Sequence, residues 1–170
     1  MVEAGVFAAD GRLELIDGEI LDMSPIGSAH VACVSRLTHL FAGLAVASEA
    51  IVQAQGAFRA DDLSRPQPDL ALLRWRDDFY AAALARPDDV LLVVEVADSS
   101  LRFDRTIKRP AYARARVAET WIVDLNGGAV EVARRPSADG YGTITTHARG
   151  EVLSPQAFPG VAVAVADVLG

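Results

Sequence analysis

The chain has 170 residues, 51% of them hydrophobic and 23% charged, and its net charge is −7. This length and composition predict one domain over residues 1–170 with a full hydrophobic core, and they exclude a largely disordered chain. The acidic balance weighs against a general nucleic-acid binder, because such affinity depends on neutralising phosphates.

Cysteine use and hydropathy restrict the compartment. Cys33 is the single cysteine, so no disulfide forms within the chain and a cysteine-ligated zinc site would be short of ligands. A reducing cytoplasm fits this. Residues 1–5 have no basic stretch before an apolar run, so no signal peptide is expected. The longest apolar segment, 29–51, argues against a membrane span because it contains His30, Arg36, His39 and Glu49.

The first half of the chain predicts a hairpin, a long helix and two strands. Asp17-Gly18 between the apolar runs 12–16 and 19–23 is typical of a two-residue hairpin turn. After a break at Ser24-Pro25, a helix capped by Ser28 is expected from apolar residues at helical spacing, which are Val31, Val34, Leu37, Leu40, Phe41 and Leu44. Two strands are expected at 50–58 and 69–75, with a proline-marked loop between them.

The second half predicts a sheet interrupted by one helix. Residues 90–97 are nearly all apolar and indicate a buried central strand. Asp98-Ser-Ser100 can cap a helix over 101–116, which Pro110 should kink or split. The remaining expected elements are strands at 119–124 and 129–134 around the turn 126–128, a turn at 140–142 with a strand to 147, and a short strand or turn within 161–169. This order predicts a mixed α/β (α+β) domain, in which helices flank a central mixed sheet.

Two acidic residues stand in apolar strand sequence. Asp69 opens the run 69–73, and Glu95 interrupts the run 90–96. A buried carboxylate is unfavourable unless it is paired or bound to metal. Two carboxylates on neighbouring strands can hold a hard divalent cation, and oxygen ligands favour Mg²⁺ over zinc. Pairing with an arginine, or capping of a turn, is the alternative for each acid.

Lys108 is the one lysine among fifteen arginines. A lysine near the two acids could orient or deprotonate water, since its charge is compact and its pKa changes on burial as that of arginine does not. The three residues together hint at metal-assisted hydrolysis. A genome that favours arginine codons would also leave few lysines by chance.

The segment 102–116 is strongly basic, with six basic residues against one acid, Asp104. On one regular helix Arg102, Arg105 and Arg109 would fall within an arc of roughly 60°. Such a stripe could guide the backbone of DNA to a site. A solvated helix face is an equally good explanation of the charge.

Several motifs, taken in order, resemble the Uma-type family of putative restriction endonucleases, which belongs to the PD-(D/E)XK superfamily. The match extends over nearly the whole chain. Its motifs are Glu14-Leu-Ile-Asp-Gly-Glu-Ile20, Met23-Ser-Pro25, Gly27, His30, Pro68-Asp69, Val94-Glu-Val-Ala-Asp-Ser-Ser-Leu101, Asp104-x-x-x-Lys108-x-Pro-x-Tyr112, Glu119-x-Trp-Ile-Val-Asp-Leu125, Val130-Glu-Val132, Gly140-Tyr141 and Pro159-Gly160.

This resemblance implies a restriction endonuclease-like core that cleaves DNA with Mg²⁺ or Mn²⁺. Asp69 and Glu95 would be the catalytic acids and would hold the metal together with the carbonyl of Val96. The superfamily lysine usually stands two residues after the second acid, where this chain has Ala97. In the Uma-type family the lysine is displaced to the next helix, where Lys108 matches it. Many nucleases of this fold act as dimers, so a homodimer is expected.

Some residues keep two interpretations. Glu19 is either an extra acid of the site or a surface glutamate, and His30 either contacts phosphate or caps the helix. Gln55 could line the site from a neighbouring strand. Asp104 and Lys108, four apart on a helix, can pair.

Two other functions remain open at this point. A catalytically inactive module that binds DNA or protein is favoured by the acidic balance and by the missing strand lysine. A different metal-dependent hydrolase on the same scaffold is the third reading.

Overall fold

The N-terminal hairpin forms as predicted. In the computed structural model, which describes residues 13–22 and 27–170, β1 (Leu13–Ile16) pairs with β2 (Glu19–Asp22). Asp17 and Gly18 have φ angles of 52° and 82°. Positive φ at both central residues is what a type I′ hairpin turn requires. The expectations for residue 12, at the start of the hairpin, and for residues 23–26, after it, lie outside the described residues.

Helix α1 (Ser28–Val46) confirms the predicted long helix, although Gly27 is its N-cap and Ser28 is its first residue. Within the described part of the chain it has the length and apolarity of a membrane span, with a mean hydropathy of 1.3. Its buried residues, which include Leu37 and Phe41, belong to the core beside the sheet. The outer side carries polar residues such as Thr38 and His39. The structure thus accounts for the apolar stretch as the packing face of a core helix.

A six-stranded mixed sheet forms the centre. Its order along the sheet follows the chain, and only the β5–β6 pair is parallel. Its strands are β3 (Ala50–Ala54), β4 (Leu70–Arg74), β5 (Val90–Ala97), β6 (Glu119–Asp124), β7 (Ala129–Ser137) and β8 (Gly140–Ala148), with a 3₁₀ turn (Pro87–Asp89) before β5. The bounds of β5 and β6 match the sequence prediction. Strand β3 is shorter than expected, and the expected turn at 140–142 is the beginning of β8.

The helix predicted over 101–116 is split into α2 (Leu101–Phe103), a π-helical segment (Asp104–Lys108) and α3 (Arg109–Arg114). Pro110 explains the split, because its ring has no N–H and clashes with a carbonyl four residues earlier in a regular α-helix. A π-helical turn just before the proline removes that conflict. The structure therefore confirms the predicted interruption and shows that it is a π-helical turn.

The C-terminal segment adds a small two-stranded sheet and a last helix. Strand β9 (Val152–Leu153), which the sequence did not suggest, pairs with β10 (Val163–Ala164), and α4 (Val165–Leu169) follows. Helices α1 and α4 share one core cluster with the sheet, and Phe58 and Tyr112 belong to a second cluster. The mixed sheet flanked by helices confirms the predicted fold class.

Candidate active site

Strand pairing brings the first two predicted site residues together. Leu70 at the start of β4 pairs with Val94 near the end of β5 in antiparallel register. Asp69, which precedes β4, therefore lies beside Glu95 and Val96. Both carboxylates are buried, with exposures of 6% for Asp69 and 2% for Glu95. Asp69 and Glu95, at the end of β5, thus begin a cluster of buried charged residues.

Lys108 reaches this cluster from the end of the π-helical segment. Its Nζ atom lies 3.2 Å from Oε1 and 3.1 Å from Oε2 of Glu95. The lysine is buried, with an exposure of 4%. The structure thus brings Asp69, Glu95 and Lys108 together from three separate stretches of sequence.

Glu14 on β1 is a member of the cluster that sequence reasoning missed. Its Oε2 atom lies 3.3 Å from Nζ of Lys108, and its side chain is 2% exposed. Glu19, the acid expected from this hairpin, is exposed on β2 and stands apart from the cluster. The sequence offered two signals for Glu14. It is the first residue of a motif that resembles the family, and the alternation along β1 puts it on the same face as the buried Ile16.

Asp69 is held by one hydrogen bond and one side-chain contact, both at its Oδ2 atom. The Val96 amide donates the hydrogen bond at 2.8 Å, and Nε2 of His30 lies 2.9 Å away. His30 is buried in the first turn of α1 and contacts Asp69, and α1 has no side-chain hydrogen bond at its N-cap. The amide and carbonyl of one strand residue point to the same neighbouring strand. The carbonyl of Val96 therefore points to the side of β5 where Asp69 stands.

Tyr112 fixes the carboxylate of Glu95 from α3. Its hydroxyl donates a short hydrogen bond to Oε1 of Glu95. Its ring stacks on Phe58 with the centroids 6.0 Å apart, so the hydroxyl is aimed by packing. A role in packing was the sequence expectation, and the structure adds the contact with Glu95.

The predicted Asp104–Lys108 pair does not form as a direct contact. The hydroxyl of Ser100 donates a hydrogen bond of 2.6 Å to Oδ2 of Asp104, while Lys108 turns to the two glutamates. The π-helical turn between the two residues changes the α-helical spacing on which that prediction depended. Ser100 consequently binds the Asp104 side chain and makes no side-chain cap of α2.

The charges in the cluster are strongly coupled. Burial raises the pKa of the Glu95 carboxyl to about 8, and the nearby Lys108 charge opposes that rise. Burial alone would lower the pKa of Lys108, but Glu95 and Glu14 outweigh burial and raise it above the ordinary lysine value. Lys108 is therefore an ammonium at neutral pH. Burial also raises the pKa of Asp104.

The arginines of the same helical segment have different environments. Arg105 and Arg109 both contact Glu131 on β7, and the distance from Nη1 of Arg109 to Oε2 of Glu131 is 2.7 Å. Their charges are thus partly neutralised within the protein. Arg102 is exposed. Of the three arginines expected to contact DNA, Arg102 is the one that faces solvent most openly.

Gln55 is adjacent to the cluster through its backbone. Its amide donates to the carbonyl of Asp69 at 3.1 Å, and its own carbonyl accepts from Nε2 of Gln67 at 2.8 Å. Gln55 has a φ of 52° at the end of β3. The structure therefore places the backbone of Gln55 next to Asp69, and a role for its side chain in the site stays a prediction.

The sequence matches a known protein family, and the fold matches a known structure. The family model described as "Uma2: Putative restriction endonuclease" matches residues 3–166. The chain belongs to the Uma2 family. A crystal structure of a putative nuclease belonging to DUF820 from Anabaena variabilis is similar, with a TM-score of 0.73 at 14% identity, over 92% of this chain and 89% of that chain. No curated protein matches the sequence.

Membership of the Uma2 family indicates a restriction-endonuclease-like nuclease, for which nucleic acid is the class of substrate. At 14% identity the Anabaena structure shows a shared fold and no more. The roles of individual residues in this Uma2-family chain therefore have to be argued from its own site.

The donor chemistry of the site fits a divalent cation, although its present contacts are internal. Across residues 13–22 and 27–170, no group of three or more His, Cys, Asp or Glu side chains is arranged to hold a metal ion. The carboxylate of Glu95 is engaged by Lys108 and Tyr112. However, four buried acids, Glu14, Asp69, Glu95 and Asp104, belong to or neighbour this cluster, whereas Lys108 is its one buried ammonium among the described residues. Carboxylate oxygens in such surplus suit Mg²⁺ or Mn²⁺.

Proposed function

We propose that this Uma2-family protein is a Mg²⁺- or Mn²⁺-dependent endonuclease that hydrolyses phosphodiester bonds of DNA, on the pattern of the PD-(D/E)XK superfamily. The observation that carries the proposal is the meeting of Asp69, Glu95 and Lys108 in one buried cluster at the end of β5. Lys108 contacts Glu95 directly, and the strand register places Asp69 beside Glu95. Two acids and one lysine in such proximity are groups that metal-assisted hydrolysis of a phosphodiester can use.

The metal ligands in this proposal are Asp69, Glu95 and the carbonyl of Val96. His30 and the Val96 amide hold Asp69 in place, and Tyr112 holds Glu95. When bound, a divalent cation supplies polarisation of the phosphodiester and a more acidic water.

Lys108 acts as a charged donor in this mechanism. Because its pKa is raised, it keeps its proton at neutral pH and is a poor acceptor for the proton of the attacking water. Its ammonium can orient that water or stabilise the negative charge that develops on the phosphate oxygens. The raised pKa of Lys108 therefore favours orientation of water over its deprotonation, the other role considered for this lysine.

Arg102 is the best-placed of the predicted DNA contacts, since it is exposed on the segment that carries Lys108. Arg105 and Arg109 would have to share their charge between Glu131 and the DNA backbone. A homodimer in the cytoplasm remains part of the proposal, because two copies would place two sites on the two DNA strands.

The test is cleavage of supercoiled plasmid with Mg²⁺ or Mn²⁺. The parent protein should cut it and chelation should stop the reaction, while Asp69→Asn should cut at least roughly a hundredfold more slowly, because a neutral amide is a weak ligand for a hard cation. Asp139→Asn removes the same charge in an exposed turn and is the matched control. RNA and simple phosphodiesters assayed beside DNA would identify a different hydrolase. Equal rates for the parent and Asp69→Asn would refute the assignment.

A non-catalytic binding module is the second candidate, and one observation favours it. Both carboxylate oxygens of Glu95 contact Nζ of Lys108, so this carboxylate already has a partner within the protein. If this ion pair is permanent, the protein should bind DNA without any requirement for metal. A gel-shift titration with and without Mg²⁺ separates the two candidates, since the module predicts the same affinity in both conditions.

A further inference from the structure

Lys108 contacts two carboxylates, and only one of them belongs to the proposed metal site. The ammonium lies 3.1 Å and 3.2 Å from the oxygens of Glu95, and 3.3 Å from Oε2 of Glu14. A lysine has three N–H donors and no acceptor. Glu14 is thus a second, independent acceptor for the same buried charge.

The position of Glu14 is fixed from the segment that leads into Asp69. The amide of Gln67 donates to Oε2 of Glu14 at 3.3 Å. Beside it, Leu15 and Arg65 exchange two backbone hydrogen bonds, of 3.4 Å and 2.7 Å. The strand that carries Glu14 is therefore attached to the chain just before the first acid.

The same hairpin is also attached to the helical segment that carries Lys108. At the tip of the hairpin, Oδ2 of Asp17 lies 2.6 Å from Nη2 of Arg114 on α3. The amide of Asp17 donates to the hydroxyl of Ser64 at 3.0 Å. The hairpin thus bridges the approach to β4 and the helix of the lysine, with Glu14 at the centre of the bridge.

From this geometry we infer that Glu14 is a positioning residue, which keeps the ammonium of Lys108 in the site when a divalent cation takes the carboxylate of Glu95. The inference rests on the proposed function. A cation on Glu95 competes with Lys108 for the same oxygens. Without Glu14 the ammonium would then be buried with no carboxylate partner, which is strongly unfavourable. With Glu14 it keeps one charged hydrogen bond and stays near the reacting phosphate.

A purely structural role for Glu14, as an anchor of the hairpin, makes a different prediction. An anchor would affect the protein equally with and without metal. A positioning residue matters most after the cation has bound, because only then does Lys108 depend on Glu14 alone. The test must therefore observe Lys108 itself in the metal-free and the metal-bound protein.

The single lysine of the chain makes this observation direct, because ¹⁵N-lysine labelling gives one side-chain ammonium signal in an NMR spectrum. The probe is Mg²⁺ alone, without nucleic acid. In the parent protein, Mg²⁺ should shift the signal while its proton exchange with water changes less than about twofold. In Glu14→Gln, Mg²⁺ should accelerate exchange at least about tenfold, the effect of losing one hydrogen bond to a charged group.

The metal-free spectra serve as the check on folding, since Glu95 still holds Lys108 in both proteins and both should exchange slowly. Glu19→Gln changes the exposed glutamate of the same hairpin and should behave like the parent. If Glu14→Gln does not fold, Glu14→Asp keeps the charge on a shorter side chain and should give an intermediate acceleration. In cleavage assays, Glu14→Gln should lower kcat more than it raises the Mg²⁺ concentration for half-maximal activity.

The outcomes separate this inference from the proposed function. A Lys108 signal that does not respond to Mg²⁺ in the parent would overturn the metal site and the inference together. A signal that responds to Mg²⁺ in the same way in the parent and in the Glu14 variants would overturn the role of Glu14 and leave the proposed function standing.

Discussion

Two charged clusters lie on the two sides of the segment 101–114, and they have different charge balances. On one side a single ammonium, that of Lys108, meets the carboxyl groups of Glu95 and Glu14, all deeply buried. On the other side Arg105 and Arg109 both contact Glu131, and Arg105 also lies 3.8 Å from Asp124. Because the first cluster has carboxyl groups in excess, it can accept another cation. The second has as many acids as arginines and has the character of a structural contact.

The difference in burial teaches how each cluster should respond to change. The side chains of Lys108 and Glu95 are 4% and 2% exposed, whereas that of Arg105 is 39% exposed. Water can solvate a broken pair in the second cluster but not in the first. Substitutions in the Lys108 cluster should therefore have large effects on both stability and chemistry, and those in the Glu131 cluster small effects on stability alone.

The largest effect should come from Lys108→Ala. It leaves two buried carboxylates without their cation, so we expect a loss of roughly 3–5 kcal/mol in the free energy of unfolding. Cleavage of DNA should fall by roughly 10²–10³-fold, as for the loss of one charged donor to a transition state. Urea unfolding and plasmid cleavage measure the two effects. A variant that is as stable and as active as the parent would show that the lysine cluster is no more important than a surface pair.

The second-largest effect should come from Glu131→Gln, on the other side of the segment 101–114. It removes the negative charge that Arg105 and Arg109 contact. Because Arg105 is partly exposed and also lies near Asp124, we expect a loss of about 1–2 kcal/mol in the free energy of unfolding. Calorimetric affinity for Mn²⁺ should stay the same, because Glu131 lies outside the Lys108 cluster. Loss of Mn²⁺ binding in this variant would mean that the two clusters are not independent.

A third effect is a pH dependence that belongs to the Lys108 cluster. The pKa of Glu95 rises from 4.5 to about 8 on burial. A carboxyl with a raised pKa in the folded protein contributes stability below its unfolded pKa and loses that contribution as the pH rises through the folded value. The metal-free parent should therefore become less stable between pH 5 and pH 8, measured by urea unfolding. Glu95→Gln should flatten that decline, and Glu19→Gln should not.

The smallest effect should come from Arg102→Ala. If this exposed arginine contacts a phosphate, its loss should weaken DNA binding a few-fold and reduce the slope of log affinity against log salt by about 1. Arg86→Ala is the matched control. Arg86 is exposed and precedes the start of β5, at the far end of that strand from Glu95, so its loss should leave both quantities unchanged. Equal effects from the two variants would indicate that DNA does not bind preferentially at the surface that carries Arg102.

Local patterns predicted the parts of the molecule that depend on local chemistry. The apolar run at 90–97 and the run at 119–124 become β5 and β6 with the same bounds, because buried strands need continuous apolar sequence. Asp69, Glu95 and Lys108 were chosen from residue type and from the family resemblance. Pro110 indicated a break in the helix, but which backbone form relieves the clash depends on packing around Lys108.

The partners of these residues depend on tertiary packing and could not be predicted in the same way. Glu14 and Glu19 lie on the same face of the hairpin, since Glu19 is paired with Ile16, and only the tertiary packing places Glu14 beside Lys108 and leaves Glu19 exposed. Glu131 is 26 residues from Arg105 along the chain, and only the pairing of β6 with β7 brings it near. The contact of His30 with Asp69 joins two distant elements, so the local sequence around His30 gave no indication of it.

The central claim, that Asp69 and Glu95 form a cation site governed by Lys108, is tested most directly by calorimetric titration with Mn²⁺. The account predicts binding to the parent protein that Asp69→Asn removes and Asp139→Asn preserves, with both variants folded by circular dichroism. Absence of Mn²⁺ binding to the parent, or equal binding to all three proteins, would contradict it.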